Sequence, residues 1–314
     1  MTTSYWQLLG LITPVFVLIA LGAMLRRRHL LSEEADTGLL SLVVNFLAPC
    51  LILKTVLGNA ALREPANLVW PPLVGFGTIV LGFAAGYYAG RTLGLRTGTG
   101  LRTFAFAAGI YNYGYIPIPL VESLYGRETL GVLMVENVGC ELAVWTVGIL
   151  VLSGLSLREG WHRAVNPMSC TLVVAVSANL TGISLPPVLM SVVTALAACA
   201  IPLGLLICGA TMSAYFDEPQ QLVHGRTTSG ACLLRFAVLP VVFLLLARAA
   251  PISIELKRVL VVQAAMPSGM MPLVLARHYG GRPLTAAQII VGTTALGVLV
   301  VPWWLRFGFA WVGV

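Results

Sequence analysis

The chain has 314 residues, of which 58% are hydrophobic and only 10% are charged, and its mean hydropathy is +0.90. A soluble globular domain carries roughly 25% charged residues, so this composition excludes a soluble enzyme and a disordered chain. The net charge of +7 comes mainly from Arg residues between apolar runs, which is typical of membrane proteins. We therefore expect an integral protein of the lipid bilayer and no nucleic-acid partner.

Ten apolar runs are long enough to cross a bilayer, and polar connections separate them. Backbone groups in lipid must be satisfied within each segment, so the spans are expected to be helices. They predict an all-α multi-pass membrane protein with a single transmembrane domain, 1–314. Glycines in GFGTIVLGFAAGYYAG (75–90) predict close helix packing. The runs are roughly 5–25, 38–57, 70–90, 103–123, 130–152, 167–185, 187–212, 231–250, 258–277 and 286–311.

The basic residues predict the orientation in the membrane. An even number of spans puts both termini on one side. If that side is outside, twelve Arg residues fall on the cytoplasmic side and six basic residues fall outside, as the positive-inside rule expects. The sequence therefore predicts a protein of the cell (inner) membrane with both termini outside, and with Arg235 as a cytoplasmic anchor of span eight. The cytoplasmic set is Arg26, Arg27, Arg28, Arg91, Arg96, Arg102, Arg158, Arg163, Arg226, Arg235, Arg277 and Arg282; the outer set is Arg63, Arg127, Arg248, Lys257, Arg258 and Arg306.

An internal repeat divides the chain into halves of about 1–153 and 154–314, each with five predicted spans. Because five is odd, the second half enters the membrane from the opposite face. The pattern predicts two inverted five-helix repeats, a common architecture of secondary transporters. Three prolines recur 153 residues later, in the pairs Pro14 and Pro167, Pro49 and Pro202, and Pro119 and Pro272.

Spans four and nine each contain a helix-breaking segment near mid-membrane, YNYGYIPIPL (111–120) and AAMPSGMMPL (264–273). Proline removes an N–H donor, so both helices should be interrupted there. Two interruptions at matching positions of two halves indicate a transport site, whereas harmless proline kinks are the alternative. The expected structural breaks are at Pro49, Pro117, Pro202, Pro267 and Pro272.

Interrupted helices expose N-terminal ends, whose partial positive charge and free N–H groups suit an anion. Lys54, inside span two, could bind that anion, pair with a carboxylate or extend to the outer membrane edge. The candidate substrate-binding residues are Asn112, Tyr113, Gly114, Tyr115, Pro119, Ser268, Gly269 and Lys54.

Ionisable side chains inside spans are costly and therefore functional candidates. Glu136, Asn137 and Glu141 lie in span five, where burial favours a neutral carboxyl group that can carry a proton. Glu122, nearer the outer end, is expected to be an interface residue beside Arg127. The sequence contains no metal-binding, P-loop or nucleophile-elbow motif, so we expect no metal, no cofactor and no enzymatic activity.

Four segments resemble the auxin efflux carrier family of permeases, in its bacterial members. Asn112, Gly114, Tyr115 and Pro119 match the family pattern in span four, whereas Pro117 stands where glycine is usual and Tyr113 where a small residue is common. The segments are NFLAPCLIL (45–53), NYGYIPIPL (112–120), IPLGLLICGATM (201–212) and AAMPSGMMP (264–272).

The resemblance implies ten helices in two inverted repeats, with broken helices four and nine crossing, and a fold shared with bile-acid/sodium symporters and sodium/proton exchangers. It also implies organic-anion transport, of auxin in plants and of malate or malonate in bacteria. The sequence thus predicts a secondary active transporter of a small organic anion, such as a dicarboxylate or auxin-like carboxylate, working by alternating access. Proton or sodium is the coupling ion, and a homodimer is one possible assembly. The alternatives are a membrane sensor or receptor on a transporter-like scaffold, and a sodium-coupled carrier of another solute.

We predict that an alkaline phosphatase reporter fused after Val314 is active, because both termini lie outside the cytoplasm. A matched fusion in the loop 91–102, predicted to be cytoplasmic, should be inactive. A reporter after Val314 that works only in the cytoplasm would contradict this orientation.

Overall fold

The computed structural model of the protein describes residues 4–153, 166–216 and 225–314. In these residues the chain is helical, and its only extended pairing is an isolated bridge between Tyr111 and Ser268. The helices are α1 (Tyr5–Arg27), α2 (Glu33–Val56), α3 (Ala66–Thr92), α4 (Leu101–Gly109), α5 (Pro117–Leu152), α6 (Pro167–Thr181), α7 (Pro187–Ser213), α8 (Gly225–Ala249), α9 (Ile254–Ala264), α10 (Met271–His278) and α11 (Pro283–Val312).

Seven of the described helices are long and apolar enough to cross a membrane: α1, α2, α3, α5, α7, α8 and α11. The chain is therefore a multi-pass membrane protein. The remaining predicted runs contain shorter helices, with 15 residues in α6 and only 9, 11 and 8 in α4, α9 and α10. Helix α5 joins the end of predicted span four to span five, and the chain bends between them at Gly126. Its φ of 75° lies in the left-handed region that glycine adopts readily.

Local capping sets helix ends that hydropathy does not reveal. Helix α2 begins at Glu33, before the predicted run at 38, because the Ser32 hydroxyl accepts the N–H of Ala35 at 3.2 Å. Acidic residues in that first turn also favour the positive end of the helix. Helix α6 ends at Thr181, because Gly182 adopts a left-handed conformation with φ 74°.

The prediction of structural breaks at Pro49 and Pro202 is wrong, because the helices continue through both residues. A wider π-helical turn, Val43–Leu47, precedes Pro49 and relieves the clash that a proline ring makes with the preceding α-helical turn. Pro202 lies inside α7. Membrane helices tolerate such prolines when neighbouring groups satisfy the freed carbonyls.

Small residues bring α3 against α4 and α5. A Cβ atom at Gly82 would overlap the backbone of Gly109 in α4, and one at Gly139 in α5 would overlap Pro72 of α3. The close packing predicted for the glycine-rich segment 75–90 is therefore confirmed. It fixes α4 and α5, which flank the first helix interruption, against one long helix.

The other helices pack against one another and, through α9, against α5. Helix α1 packs against α7 and α11, α2 packs against α6 and α7, and α9 packs against α5 and α8. The contact between α9 and α5 joins the two interrupted regions. Arg158 and Arg163, which support the predicted orientation, lie outside the described residues.

Candidate functional site

The two interrupted segments contact each other through their backbones. The first, 110–116, separates α4 from α5, and the second, 265–270, separates α9 from α10. The N–H of Asn112 donates to the carbonyl of Pro267 at 2.8 Å, and the N–H of Gly269 donates to Ile110 at 3.3 Å. We call this meeting point the crossing.

Proline and glycine explain why the chain breaks at these positions. Pro117 is the first residue of α5 and Pro272 the second of α10, where a missing N–H costs nothing. Pro267 lies within the second interruption, and Pro119 lies in the first turn of α5. At Gly269 a Cβ atom would stand 3.1 Å from the Tyr111 carbonyl oxygen, so the small residue permits the close approach.

Asn112 and Ser268 each bring an unused polar group to the crossing. The Asn112 Oδ1 accepts the N–H of Ile116 at the start of α5 (3.3 Å), while its Nδ2 has no hydrogen-bond partner among the described residues. The N–H of Ser268 donates to Thr293 Oγ1 of α11 at 3.2 Å. The buried Ser268 hydroxyl has no partner in the described part of the chain. Both side chains therefore keep a hydrogen-bonding group that the described residues do not use.

The carboxylate of Glu136 links the two interruptions. It is fully buried and accepts the Tyr111 hydroxyl of the first interruption at 3.0 Å. Its other oxygen accepts the side-chain amide of Gln263, in the last turn of α9 before the second interruption. Thr78 of α3 and Cys140 of α5 also lie within hydrogen-bond distance of the Tyr111 hydroxyl, at 3.0 and 3.3 Å.

A second carboxylate contacts only the first interruption. Glu141 Oε1 accepts the Tyr113 hydroxyl at 2.8 Å, and Oε2 accepts the Trp145 indole N–H at 2.9 Å. The Tyr113 hydroxyl, predicted to serve the substrate, is thus engaged by Glu141 in this structure. Asn137, between the two carboxylates in sequence, is buried, and its Oδ1 has no partner among the described residues.

Tyr115 borders the crossing on the side of α7, and Gly114 precedes it in the first interruption. The Tyr115 ring packs against Gly204, where a Cβ atom would overlap it. Apart from Gly114 itself and its two chain neighbours, no heavy atom of the described residues lies within 4 Å of the position that a Cβ would take there. This glycine therefore marks an open side of the first interruption.

Arg235 is buried at the crossing, so its prediction as a cytoplasmic anchor is wrong. It lies in a π-helical turn of α8, Leu234–Val238, and is 0% exposed. Its guanidinium donates to the carbonyls of Met266 and Gly109, at 3.2 and 3.3 Å. Hydrogen bonds to these freed carbonyls replace the water that a membrane-edge arginine would have.

Lys54 lies in an ion pair away from the two interruptions. Its Nζ is 3.0 Å from Glu122 Oε1, and both side chains are partly exposed. This is the carboxylate-pairing alternative for Lys54. No hydrogen bond or ion pair joins Lys54 to the crossing among the described residues. Glu122 thus pairs with Lys54, while the nearby Arg127 guanidinium donates to the carbonyl of Leu57.

The sequence patterns missed four groups of this site: Tyr111, Gln263, Arg235 and Thr293. The available signal was a polar side chain next to the second interruption for Gln263, and an arginine within the apolar run 231–250 for Arg235. Across the described residues, no group of three or more His, Cys, Asp or Glu side chains could hold a metal ion.

Comparisons with known proteins identify relatives over nearly the whole chain. A family model described as membrane transport protein matches residues 8–159 and 155–305. A protein named as an uncharacterized transporter of Methanothermobacter thermautotrophicus is 28% identical over 305 residues, covering 93% of this chain and 96% of its own. A similarly named transporter of Methanocaldococcus jannaschii is 23% identical over 300 residues, covering 92% and 95%. The Escherichia coli transporter YfdV is 19% identical over 313 residues, covering 95% and 96%.

Proposed function

The chain belongs to the membrane transport protein family, that of the auxin efflux carriers, and from this premise we propose that it is a secondary active transporter of a small organic anion. The family and the names of its relatives indicate a membrane transporter rather than an enzyme. The observation that carries the proposal is the crossing, where two interrupted helices meet through 110–116 and 265–270. The substrate class is a dicarboxylate or an auxin-like carboxylate, carried by alternating access.

We propose further that the fold consists of ten membrane-crossing segments in two inverted repeats, about 1–153 and 154–314. The repeat relates α1 to α6 and α2 to α7. The packing of α1 on α7 and of α2 on α6 supports this relation, because exchanging the halves converts each contact into the other. The two segments matched by the family model, 8–159 and 155–305, fall close to the same halves.

The charges and donors of the crossing support an anionic substrate. The N-terminal ends of α5 and α10 begin there and carry partial positive charge. The buried guanidinium of Arg235 adds a full positive charge, and its Nη2 has no partner among the described residues. A carboxylate could bind these groups together with the Asn112 amide and the Ser268 hydroxyl.

Proton coupling through Glu136 follows from the same charges. When Glu136 is ionised, its negative charge opposes the positive charge of Arg235. When Glu136 takes a proton, the crossing keeps a net positive charge and binds an anion more tightly. Proton and anion binding are then mutually favourable, and this linkage drives their movement in the same direction. The groups facing Glu136 are Tyr111, Cys140 and Gln263, and none of them carries a permanent charge.

We place the protein in the cell (inner) membrane with both termini outside. Removing Arg235 from the cytoplasmic set leaves eleven basic residues against six, so the asymmetry remains. A homodimer is compatible with this arrangement.

Uptake into proteoliposomes tests the function and its coupling. We expect malate or another carboxylate to accumulate faster when an inward proton gradient is imposed. Glu136→Gln should abolish the acceleration but retain exchange of labelled for unlabelled substrate, because a neutral amide cannot carry a proton. Glu141→Gln is the matched comparison and should keep the response, since Glu141 contacts only the first interruption.

Absence of carboxylate transport by the unaltered protein would overturn the function. A full gradient response in Glu136→Gln would overturn the coupling but leave the substrate class standing.

Binding to the purified protein tests the ligand contacts. Asn112→Ala and Ser268→Ala should each weaken carboxylate binding roughly ten- to a hundredfold, the effect of losing about 1.5–3 kcal/mol from one hydrogen bond to a charged group. The double variant should depart from additivity, because both side chains would bind one ligand. Asn45→Ala and Ser177→Ala, at exposed positions, are controls and should bind normally. Unchanged affinity in both single variants would remove these residues from the site.

A further inference from the structure

The Arg235 guanidinium bridges the ends of two interrupted helices. Gly109 is the last residue of α4, and Met266 lies just beyond the end of α9. Their carbonyls accept Nη1 and Nε of Arg235, at 3.3 and 3.2 Å. One side chain of α8 therefore supplies donors to both halves of the proposed repeat.

These carbonyls belong to helix C-terminal ends, where the last carbonyls lack intrahelical donors and carry partial negative charge. Two such ends facing each other in a membrane repel one another unless a cation or donor lies between them. In carriers with interrupted helices, unwound carbonyls and half-helix C-terminal ends are the groups that coordinate a coupling Na⁺. In this protein the guanidinium takes the same type of oxygen ligand.

The surroundings of Arg235 show that helix ends compensate its charge. A buried guanidinium is normally paired with a carboxylate, since an unpaired buried charge is strongly destabilising. Among the described residues, no Asp or Glu forms an ion pair with Arg235. Its other neighbours are the ring faces of Tyr111 and Phe243, whose centroids lie 5.5 and 5.9 Å from the guanidinium carbon. The ring faces add cation–π attraction.

We propose that the Arg235 guanidinium occupies the carbonyl site at which a sodium-coupled carrier would bind Na⁺. This protein therefore transports its substrate without sodium. The consequence for transport rests on the proposed function, whereas the role of Arg235 at the helix ends does not. The proposal decides between the two coupling ions that the sequence left open, and it assigns coupling to the proton.

Thermal unfolding of the purified protein tests the role of Arg235 without any transport assay. The unaltered protein should unfold at the same temperature in NaCl, LiCl and choline chloride of equal ionic strength. Arg235→Ala should unfold at a lower temperature in choline chloride. Adding guanidinium or Na⁺ to that variant should raise its midpoint by on the order of 2–4 °C, because a free cation can then occupy the vacated carbonyl site.

Arg248→Ala is the matched control, since Arg248 lies on the same helix but is exposed and packs over Trp311. The unfolding midpoint of Arg248→Ala should differ between the salts by no more than that of the unaltered protein. Arg235→Lys, which keeps a positive charge, should unfold above Arg235→Ala in choline chloride. The unfolding midpoint of Arg235→Lys tests the proposal even if Arg235→Ala does not fold.

Two results would overturn the proposal. One is a higher unfolding midpoint of the unaltered protein in Na⁺ than in choline. The other is an unfolding midpoint of Arg235→Ala that neither guanidinium nor Na⁺ raises. If Arg235→Ala does not fold, an Arg235→Lys variant no more stable than Arg235→Gln would overturn it. In proteoliposomes, carboxylate uptake should be equal in sodium and choline media. Uptake that requires sodium would overturn the proposal about Arg235 but would leave the proposed function standing. Absence of carboxylate uptake in both media would overturn the proposed function, and the unfolding measurements would then decide the role of Arg235.

Discussion

The unsatisfied backbone of two interrupted helices is the constraint on which the centre of this protein depends. Within a membrane, each carbonyl or N–H that an interruption frees costs several kcal/mol unless another group binds it. Here two backbone hydrogen bonds join the interruptions and satisfy part of the freed groups: one from Asn112 to Pro267 and one from Gly269 to Ile110. Arg235 satisfies carbonyls at both C-terminal ends. The Ser268 hydroxyl at the crossing is left without a partner among the described residues.

One carboxylate contacts both interrupted regions. Glu136 accepts Tyr111 from the first interruption and Gln263 from the segment before the second. Each segment uses a different oxygen of Glu136, so a proton on one oxygen replaces the acceptor that one segment uses with a donor. Tyr111 also contacts Arg235, so this one side chain touches both the titratable group, Glu136, and the permanently charged group, Arg235.

Apolar runs and proline positions predicted much of this molecule, because lipid imposes helices and proline cannot continue one without compensation. The family resemblance is confirmed, and the predicted interruptions around Pro117 and Pro267 are present. Pro49 and Pro202 were wrong as breaks, because the effect of a proline depends on neighbouring helices that no local pattern describes. Arg235 was misplaced for a related reason, since charge alone does not distinguish a membrane-edge arginine from one that caps carbonyls inside.

Accessibility of the crossing from each side of the membrane tests the central claim most directly. In a background whose six native cysteines are replaced by Ser, a Gly114→Cys variant places a single thiol on the open side of the first interruption. Membrane-impermeant thiol reagents should label it in both vesicle orientations, and malate should slow both reactions. Gly98→Cys, in an exposed loop, is the control and should react from one side only at a rate that malate does not change. Labelling of Gly114→Cys from one side alone, or at rates indifferent to organic anions, would contradict a transport site at the crossing.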